Sequence, residues 1–239
     1  MPNILNLRYS GSGQGRVFVN GFLVVNDLTG ESASTRLEPY ALPGQNLLRV
    51  ESLAHPHTDL AAQVVVLSDQ EGGGEWVLCQ LRLPDPNSPD SAAQAVFELP
   101  GGTLPTWAWS QFQPAPQGTE SGIYGLLSAL STRILSGPDE ELLRLLQLKH
   151  TEIGMALGIG KDAMDQGLTR GLALRRSNPG FQIDLASQSD LLLVWAPDRR
   201  VVRALRKNGH DAIMIRNDGA WHGFEVVLGF NQGHWIVLR

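Results

Sequence analysis

The chain has 239 residues, of which 42% are hydrophobic and 18% charged, and its formal net charge is −5. This length allows one large domain or two ordinary ones, and the composition is that of a globular protein. Acidic and basic residues are interspersed without a basic run that would hold phosphates, so we expect no nucleic-acid partner.

The sequence also disfavours a membrane or secreted protein, and a protein held by disulfides or by a thiolate metal cluster. No apolar stretch approaches the length that spans a bilayer, and residues 1–5 lack a signal-peptide pattern, so we expect a cytoplasmic protein without a membrane partner. Cys79 is the only cysteine, which excludes an internal disulfide and a thiolate metal cluster. Its apolar surroundings favour a small core residue over a reactive thiol.

Short strands separated by turns run through the first hundred residues. Asn20-Gly21 is the strongest hairpin signal in the chain, and Pro43-Gly44-Gln45-Asn46 marks another turn. The predicted strands are 4–9, 16–19, 22–25, 47–53, 62–67, 75–83 and 95–99. Strands of this length and spacing predict an all-β sandwich over residues 1–113.

Two motifs in this half, Val17-Phe18-Val19-Asn20-Gly21 and Gly44-Gln45-Asn46-Leu47-Leu48-Arg49-Val50, resemble those of galactose-binding-like jelly-roll modules. This resemblance implies a non-catalytic module that binds carbohydrate or protein. Trp107, Trp109 and Phe112 are the aromatic residues that would stack on a sugar. The alternative, which the sequence favours, is that Trp107 and Trp109 lie on one strand face and serve packing at a sandwich edge or domain interface.

His55, His57 and Asp59 are the weak candidates for a metal site. Two histidines at i and i+2 of an extended segment point the same way, and Asp59 would supply a third ligand. Pro56 between them favours an exposed turn instead, so we expect no metal and no cofactor. Gly154, Gly158 and Gly160 do not form a nucleotide loop, because no strand precedes them and no Gly-Lys-Ser/Thr follows.

The hydrophobic period changes from two to 3.6 residues after the proline-rich segment 114–118, which we interpret as a linker. The domain that follows, 119–239, is predicted to be α+β. Three helices are predicted, over 120–135, 138–157 and 162–175, each with a stripe of Leu, Ile or Met. Pro138 and the acids after it suit the start of the second helix.

A curved antiparallel sheet is predicted after the helices. Its strands are 191–195, 201–206, 212–216, 224–230 and 235–238, separated by turns rich in Pro, Asn, Asp and Gly. Helices followed by such a sheet, with Gly233, Trp235 and Ile236 on the last strand, resemble the NTF2-like α+β cone. The resemblance implies a concave sheet face that encloses a pocket, which some members use for isomerase or dehydratase chemistry and others leave for protein binding or dimerisation.

Candidate acid or base residues in such a pocket are His150 and Asp184, with Asp190, His210 and Asp211 as further members of the set. His150 falls on the buried face of the second predicted helix, where a hydrogen-bonded core residue is the commoner role. Trp195, Trp221 and Trp235 lie in the terminal strands and either close the core or anchor a partner.

The sequence carries no catalytic spacing, cofactor loop or metal cluster that compels a mechanism. We therefore expect a non-catalytic protein-binding or assembly module of the accessory, adaptor or toxin-immunity kind found in bacteria. Its partner would be another protein, or a second copy bound through the C-terminal sheet. The alternatives are an NTF2-like small-ligand binder or enzyme that uses His150 and Asp184, and a carbohydrate-binding sandwich that uses Trp107 and Trp109.

Overall fold

The computed structural model describes residues 5–12, 15–26, 28, 30–31, 35–52, 61–69, 74–83, 92–101, 104–196 and 198–239. The chain divides into two compact units, Met1–Thr106 and Trp107–Arg239. His55, His57 and Asp59 lie outside the described residues, as does the proline-rich segment 84–90. Within the described residues, no helix is both long enough and apolar enough to cross a bilayer.

The described residues of the first unit form two antiparallel sheets. One has the order β4-β1-β7-β8, with β5 also beside β1, and its strands are β1 (Leu5–Ser12), β4 (Gly30–Glu31), β5 (Thr35–Arg36), β7 (Ala61–Asp69) and β8 (Glu75–Leu83). The other has the order β3-β2-β6-β9, and its strands are β2 (Gly15–Val19), β3 (Phe22–Val25), β6 (Gly44–Ser52) and β9 (Ala92–Leu99). The prediction of a strand-rich N-terminal half is confirmed.

One hydrophobic cluster draws on both sheets, with Leu7 and Val66 from the first and Val17, Leu48 and Phe97 from the second. Alternating side chains supply these contacts, since successive residues of a strand point to opposite faces. The buried Cys79 belongs to the same cluster, as predicted, and burial raises the pKa of its thiol.

The hairpin at Asn20-Gly21 is also confirmed. Asn20 has φ +49° and Gly21 has φ +86°, the left-handed conformation that two-residue hairpin turns require. The Asn20 side chain also ties the turn to β6, because its Oδ1 accepts from the Leu47 amide at 3.0 Å and its Nδ2 donates to Asn46 Oδ1 at 2.7 Å.

The second unit has four helices where three were predicted. They are α1 (Ser121–Ser136), α2 (Asp139–Leu145), α3 (Gln147–Leu157) and α4 (Lys161–Arg176). The second predicted helix divides at Leu146, whose φ of −96° and ψ of 6° interrupt the helical backbone. Leu146 is fully buried and belongs to the core, so packing holds the break in place.

Seven strands follow the helices and form two sheets, where one curved sheet was predicted. The first has the order β10-β13-β14, with strands β10 (Gln182–Leu185), β13 (Ile213–Asn217) and β14 (Ala220–Phe224). The second has the order β11-β12-β15-β16, with strands β11 (Leu191–Trp195), β12 (Val201–Arg206), β15 (Val227–Asn231) and β16 (His234–Val237). An isolated antiparallel bridge pairs Leu205 of β12 with Asp211, which precedes β13.

The prediction of one strand over 224–230 is wrong, because β14 ends at Phe224 and β15 begins at Val227. The chain leaves the sheet at Glu225, whose carboxylate pairs with Arg203 at 3.3 Å. Val226 is fully buried, and its carbonyl accepts from the Ala204 amide at 3.1 Å. These contacts turn the chain from one sheet to the other.

The segment that opens the second unit is not the strand expected from the spacing of Trp107 and Trp109. Ala108–Gln111 form a short 3₁₀ helix, and Trp107, Trp109 and Phe112 are all buried. Phe112 lies so close to Gly229 on β15 that a Cβ added to that glycine would come within 2.6 Å of its ring. This segment therefore packs against the strands of the second unit.

Candidate functional site

A cavity of about 430 Å³ lies between α3, α4 and the end of β14. We call it the α3–α4 cavity. Most of its wall is apolar, formed by Leu146, Ile159, Ala163, Met164, Leu168 and Phe224. Its volume falls in the range typical of small-molecule sites, which are mainly apolar with a few polar groups.

Small residues keep the α4 wall of this cavity open. Gly167 and Gly171 lie one turn apart on α4, and a Cβ added to either would meet no atom within 4 Å. Glycine within a helix costs about 1 kcal/mol relative to alanine. Within the described residues, no neighbouring atom requires glycine at either position.

His150 lies on α3 and forms part of the cavity wall. It is on the buried face of the helix, as the sequence predicts. It is 4% exposed, and its Nδ1 lies 2.6 Å from Asp165 Oδ1 on α4. Because a carboxylate only accepts hydrogen bonds, Nδ1–H of the ring faces Asp165, and Nε2 is the other polar atom of the ring. No partner for Nε2 is present among the described residues.

Asp165 also accepts a hydrogen bond from Lys161, one turn earlier on α4. Burial acts to raise the pKa of Asp165, but the hydrogen bonds from Lys161 and His150 outweigh burial and hold the pKa below its ordinary value. The aspartate is therefore ionised near neutral pH and fixes the orientation of the imidazole.

Lys149 stands beside His150 on the same cavity wall. Its Nζ donates to the Glu225 carbonyl at 3.1 Å and lies 4.8 Å from the centre of the Phe224 ring. Desolvation lowers the pKa of Lys149 to about 8, and the positive charges of Arg239 and Arg203 act in the same direction. Glu225 and Asp211 oppose this change. The amine has two further protons to donate.

The cavity therefore has a positive character. Among the described residues that line it, Lys149, His150 and Arg175 have the polar side chains, and none is a carboxylate. Three acids that act on these side chains have partners: Asp165 pairs with His150, and both Asp211 and Glu225 pair with Arg203 at 3.1 and 3.3 Å. Such a wall favours an anion over a cation.

The other predicted acid or base residues, Asp184, Asp190, His210 and Asp211, are not among the described residues that line this cavity. Asp184 is exposed on β10 and pairs with Arg206 at 3.0 Å, and it does not line the cavity with His150. His210 is exposed after the Asn208-Gly209 turn, and the Asp190 carbonyl accepts from the Lys207 amide at 2.9 Å. Within the described residues, no three His, Cys, Asp or Glu side chains are grouped to hold a metal.

Two of the three C-terminal tryptophans close the core of the unit. Trp195 and Trp235 lie 5.9 Å apart between ring centres, and Trp235 Nε1 donates to the Thr119 carbonyl at 2.8 Å. Arg199 covers the Trp195 ring at 4.0 Å. Trp235 also lines a second cavity of about 520 Å³ beside α3 and β16.

Trp221 differs from these two because it is 44% exposed on β14. Among the described strands, β14 pairs only with β13, so its other edge is open. Ala220, Trp221, His222 and Gly223 are all exposed. The turn Asp218-Gly219 has φ values of +51° and +84°, as in a two-residue hairpin. In that geometry the N–H and C=O groups of Trp221 and Gly223 point away from β13.

Comparison with models of known protein families found no match, and comparisons with curated proteins and with solved structures found no significant similarity.

Sequence reasoning identified His150 but missed Lys149, Asp165 and Arg175. A lysine or arginine is usually solvent-exposed, so a pattern of apolar residues does not mark one that faces a cavity. The four-residue spacing of Lys161 and Asp165 predicts their pairing on one helix face. The approach of Asp165 to His150 depends on how α4 folds back on α3.

Proposed function

We propose that the protein is a non-catalytic binding module, of the accessory, adaptor or immunity kind, whose C-terminal unit takes an extended segment of a partner protein on the open edge of β14. The observation that carries this proposal is the exposed strand β14, which is unpaired on one side among the described residues and bears the exposed Trp221. Natural sheets usually protect such edges by charge, bulges or a covering element.

An added strand would gain main-chain hydrogen bonds from the outward N–H and C=O groups of Trp221 and Gly223. Trp221 would supply an apolar anchor, the role that tryptophan most often has in binding interfaces. Its cross-strand neighbour Arg216 lies 5.9 Å from the indole centre, so an acidic residue beside the contacted position is favoured in the partner.

The proposal also includes a fold family for each of the two units and a cellular location for the protein. Four helices followed by antiparallel sheets support an NTF2-like C-terminal domain, and two sheets around one hydrophobic cluster support a jelly-roll-like N-terminal sandwich. We place the protein in the cytoplasm, where its partner is another protein or a second copy of the chain.

The test is co-purification of the tagged full-length chain from its native cell lysate, compared with W221A and W221P. Alanine removes the indole and keeps the outward N–H, whereas proline removes both without touching a bond to β13. We expect a stoichiometric partner that W221A retains weakly and W221P loses at least about tenfold, because interfacial tryptophans and edge hydrogen bonds each contribute on this scale.

Circular dichroism melting of the three proteins checks that W221P is folded. A partner retained equally by W221P would overturn the proposal, as would the absence of any stoichiometric partner together with a monomeric chain. Light scattering after size exclusion identifies the second-copy case, in which the wild-type chain is a dimer and W221P is a monomer.

A further inference from the structure

The α3–α4 cavity has features of a small-molecule site that are independent of the β14 edge. Its wall is apolar and open over Gly167 and Gly171, yet three polar side chains converge on it. A site of this composition holds the apolar body of a ligand by burial and orients it by a few directed contacts.

His150 supplies the first directed contact. Its side chain is buried, and the hydrogen bond to Asp165 fixes the ring with Nε2 as the remaining polar atom. His150 lines the cavity, so a ligand hydroxyl can form a directed hydrogen bond with this nitrogen.

Lys149 supplies the second contact. It is the next residue on the same wall, and its Nζ makes one described hydrogen bond, to the Glu225 carbonyl. Because none of the described lining residues is a carboxylate, and Asp211 and Glu225 pair with Arg203, a ligand carboxylate would be the natural partner of this amine.

We propose that the α3–α4 cavity binds a small, mainly apolar carboxylic acid with a hydroxyl group close to the carboxylate, the carboxylate on Lys149 and the hydroxyl on His150. The apolar body lies along α4 over Gly167 and Gly171. Arg175, further along the same helix, adds to the attraction for the anion.

Three probes separate the contributions of the ligand groups. These are 3-hydroxydecanoate, decanoate, which lacks the hydroxyl, and methyl 3-hydroxydecanoate, which lacks the charge. In calorimetric titration of the full-length protein we expect 3-hydroxydecanoate to bind about tenfold more tightly than either of the others, since each lost directed contact costs on this scale. Saturable binding of none of the three, or equal affinity for all three, would overturn the proposal.

Variants assign the contacts to residues. K149M should abolish the preference for the acid over the ester, and H150F should abolish the preference for the hydroxylated acid. Because His150 is buried and H150F risks misfolding, G171L provides a second test. Its added Cβ meets no described atom, leucine is a good helix former, and the side chain fills the cavity.

G171L should lose binding of 3-hydroxydecanoate, whereas the control G125L, on an exposed position of α1 with equally open space at Cβ, should retain it. Unchanged binding in G171L would place the ligand elsewhere and overturn the proposal. W221P should leave this binding unchanged, so the cavity and the β14 edge are tested separately.

The pH dependence gives a further readout. The pKa of Lys149 is about 8 among Glu225, Asp211, Arg203, Arg239 and the adjacent His150, so the amine is charged below pH 8 and neutral above it. The affinity for 3-hydroxydecanoate should therefore fall as pH rises beyond about 8, by up to about tenfold per pH unit, and the affinity for the methyl ester should not. Identical profiles for the acid and the ester would contradict the role given to Lys149.

Discussion

The Glu152 carboxylate joins three parts of the C-terminal unit. It is 3% exposed on α3, its Oε1 accepts from the Ala108 amide at 2.6 Å, and its Oε2 accepts from Arg239 Nη1 at 2.9 Å. Arg239 is itself buried. Removing one member of a buried ion pair leaves the other charge in a poorly solvated position, at a cost of about 3–5 kcal/mol.

We therefore expect E152A to lower the free energy of unfolding by about 3–5 kcal/mol. The control is E140A, because Glu140 is exposed in the first turn of α2 and its loss should cost less than about 1 kcal/mol. Urea denaturation followed by tryptophan fluorescence measures both. Equal destabilisation by the two substitutions would show that the buried pair contributes no more than a surface charge.

The sequence predicts the burial of apolar residues better than it predicts the burial of polar residues. The stripe Ile123, Leu127, Leu130 and Ile134 is buried, as its 3.6-residue period predicts. Glu152 and Lys149 have no such signal, because the groups that hydrogen-bond to them lie more than 40 residues away along the chain. A buried charged residue is recognisable only when its partners are known.

At the scale of elements, alanine substitutions at two glycines should change stability in opposite directions, although both glycines have the same free space at Cβ. Gly158 ends α3 with φ +70°, whereas Gly167 lies within α4. A Cβ added at either site would meet no atom within 4 Å. G158A should destabilise by about 1 kcal/mol, because an L residue is strained in the left-handed region. G167A should stabilise by up to about 1 kcal/mol, because alanine is the better helix former.

Thermal melting of both variants checks this pair, with the wild-type chain as reference. A shift of the melting temperature in the same direction for both would contradict the assignment of Gly158 as a left-handed helix end. The result for Gly167 also bears on the cavity, since a stabilising G167A would mean that glycine there is not retained for the sake of the fold.

The bounds of the helices and strands show which elements the sequence pattern predicts and which it misses. The first and last helices were predicted to within one or two residues, and β11 and β12 at the bounds observed. The break at Leu146 was missed because its neighbours all have good helix propensity and packing alone sets its backbone. β14 was missed because both of its faces are exposed, which leaves no alternation of apolar and polar residues.

At the scale of the molecule, the division of the chain at Thr106 and Trp107 lies upstream of the linker predicted at 114–118. The predicted linker marks the position where the hydrophobic period changes. The compact unit begins earlier in the chain, because it also includes the preceding residues that pack on its helices and strands. Ala108 donates to Glu152, Arg200 Nη1 donates to the Ser110 carbonyl at 3.3 Å, and Ala115 donates to the Arg199 carbonyl at 3.0 Å. The boundary at 114–118 stays a prediction, and two fragments test it.

The fragment 107–239 keeps these hydrogen bonds and contains Trp107, Trp109 and Phe112, which are buried in the full chain, whereas the fragment 119–239 lacks them all. Burial of one large apolar side chain contributes about 1.5–3 kcal/mol. Three such losses approach the whole stability of an ordinary domain, which is about 5–15 kcal/mol. We expect fragment 107–239 to melt cooperatively by circular dichroism and fragment 119–239 to show a broad transition or none. If both melt cooperatively at similar temperatures, residues 107–118 are a tether and the boundary predicted from the sequence is the better one.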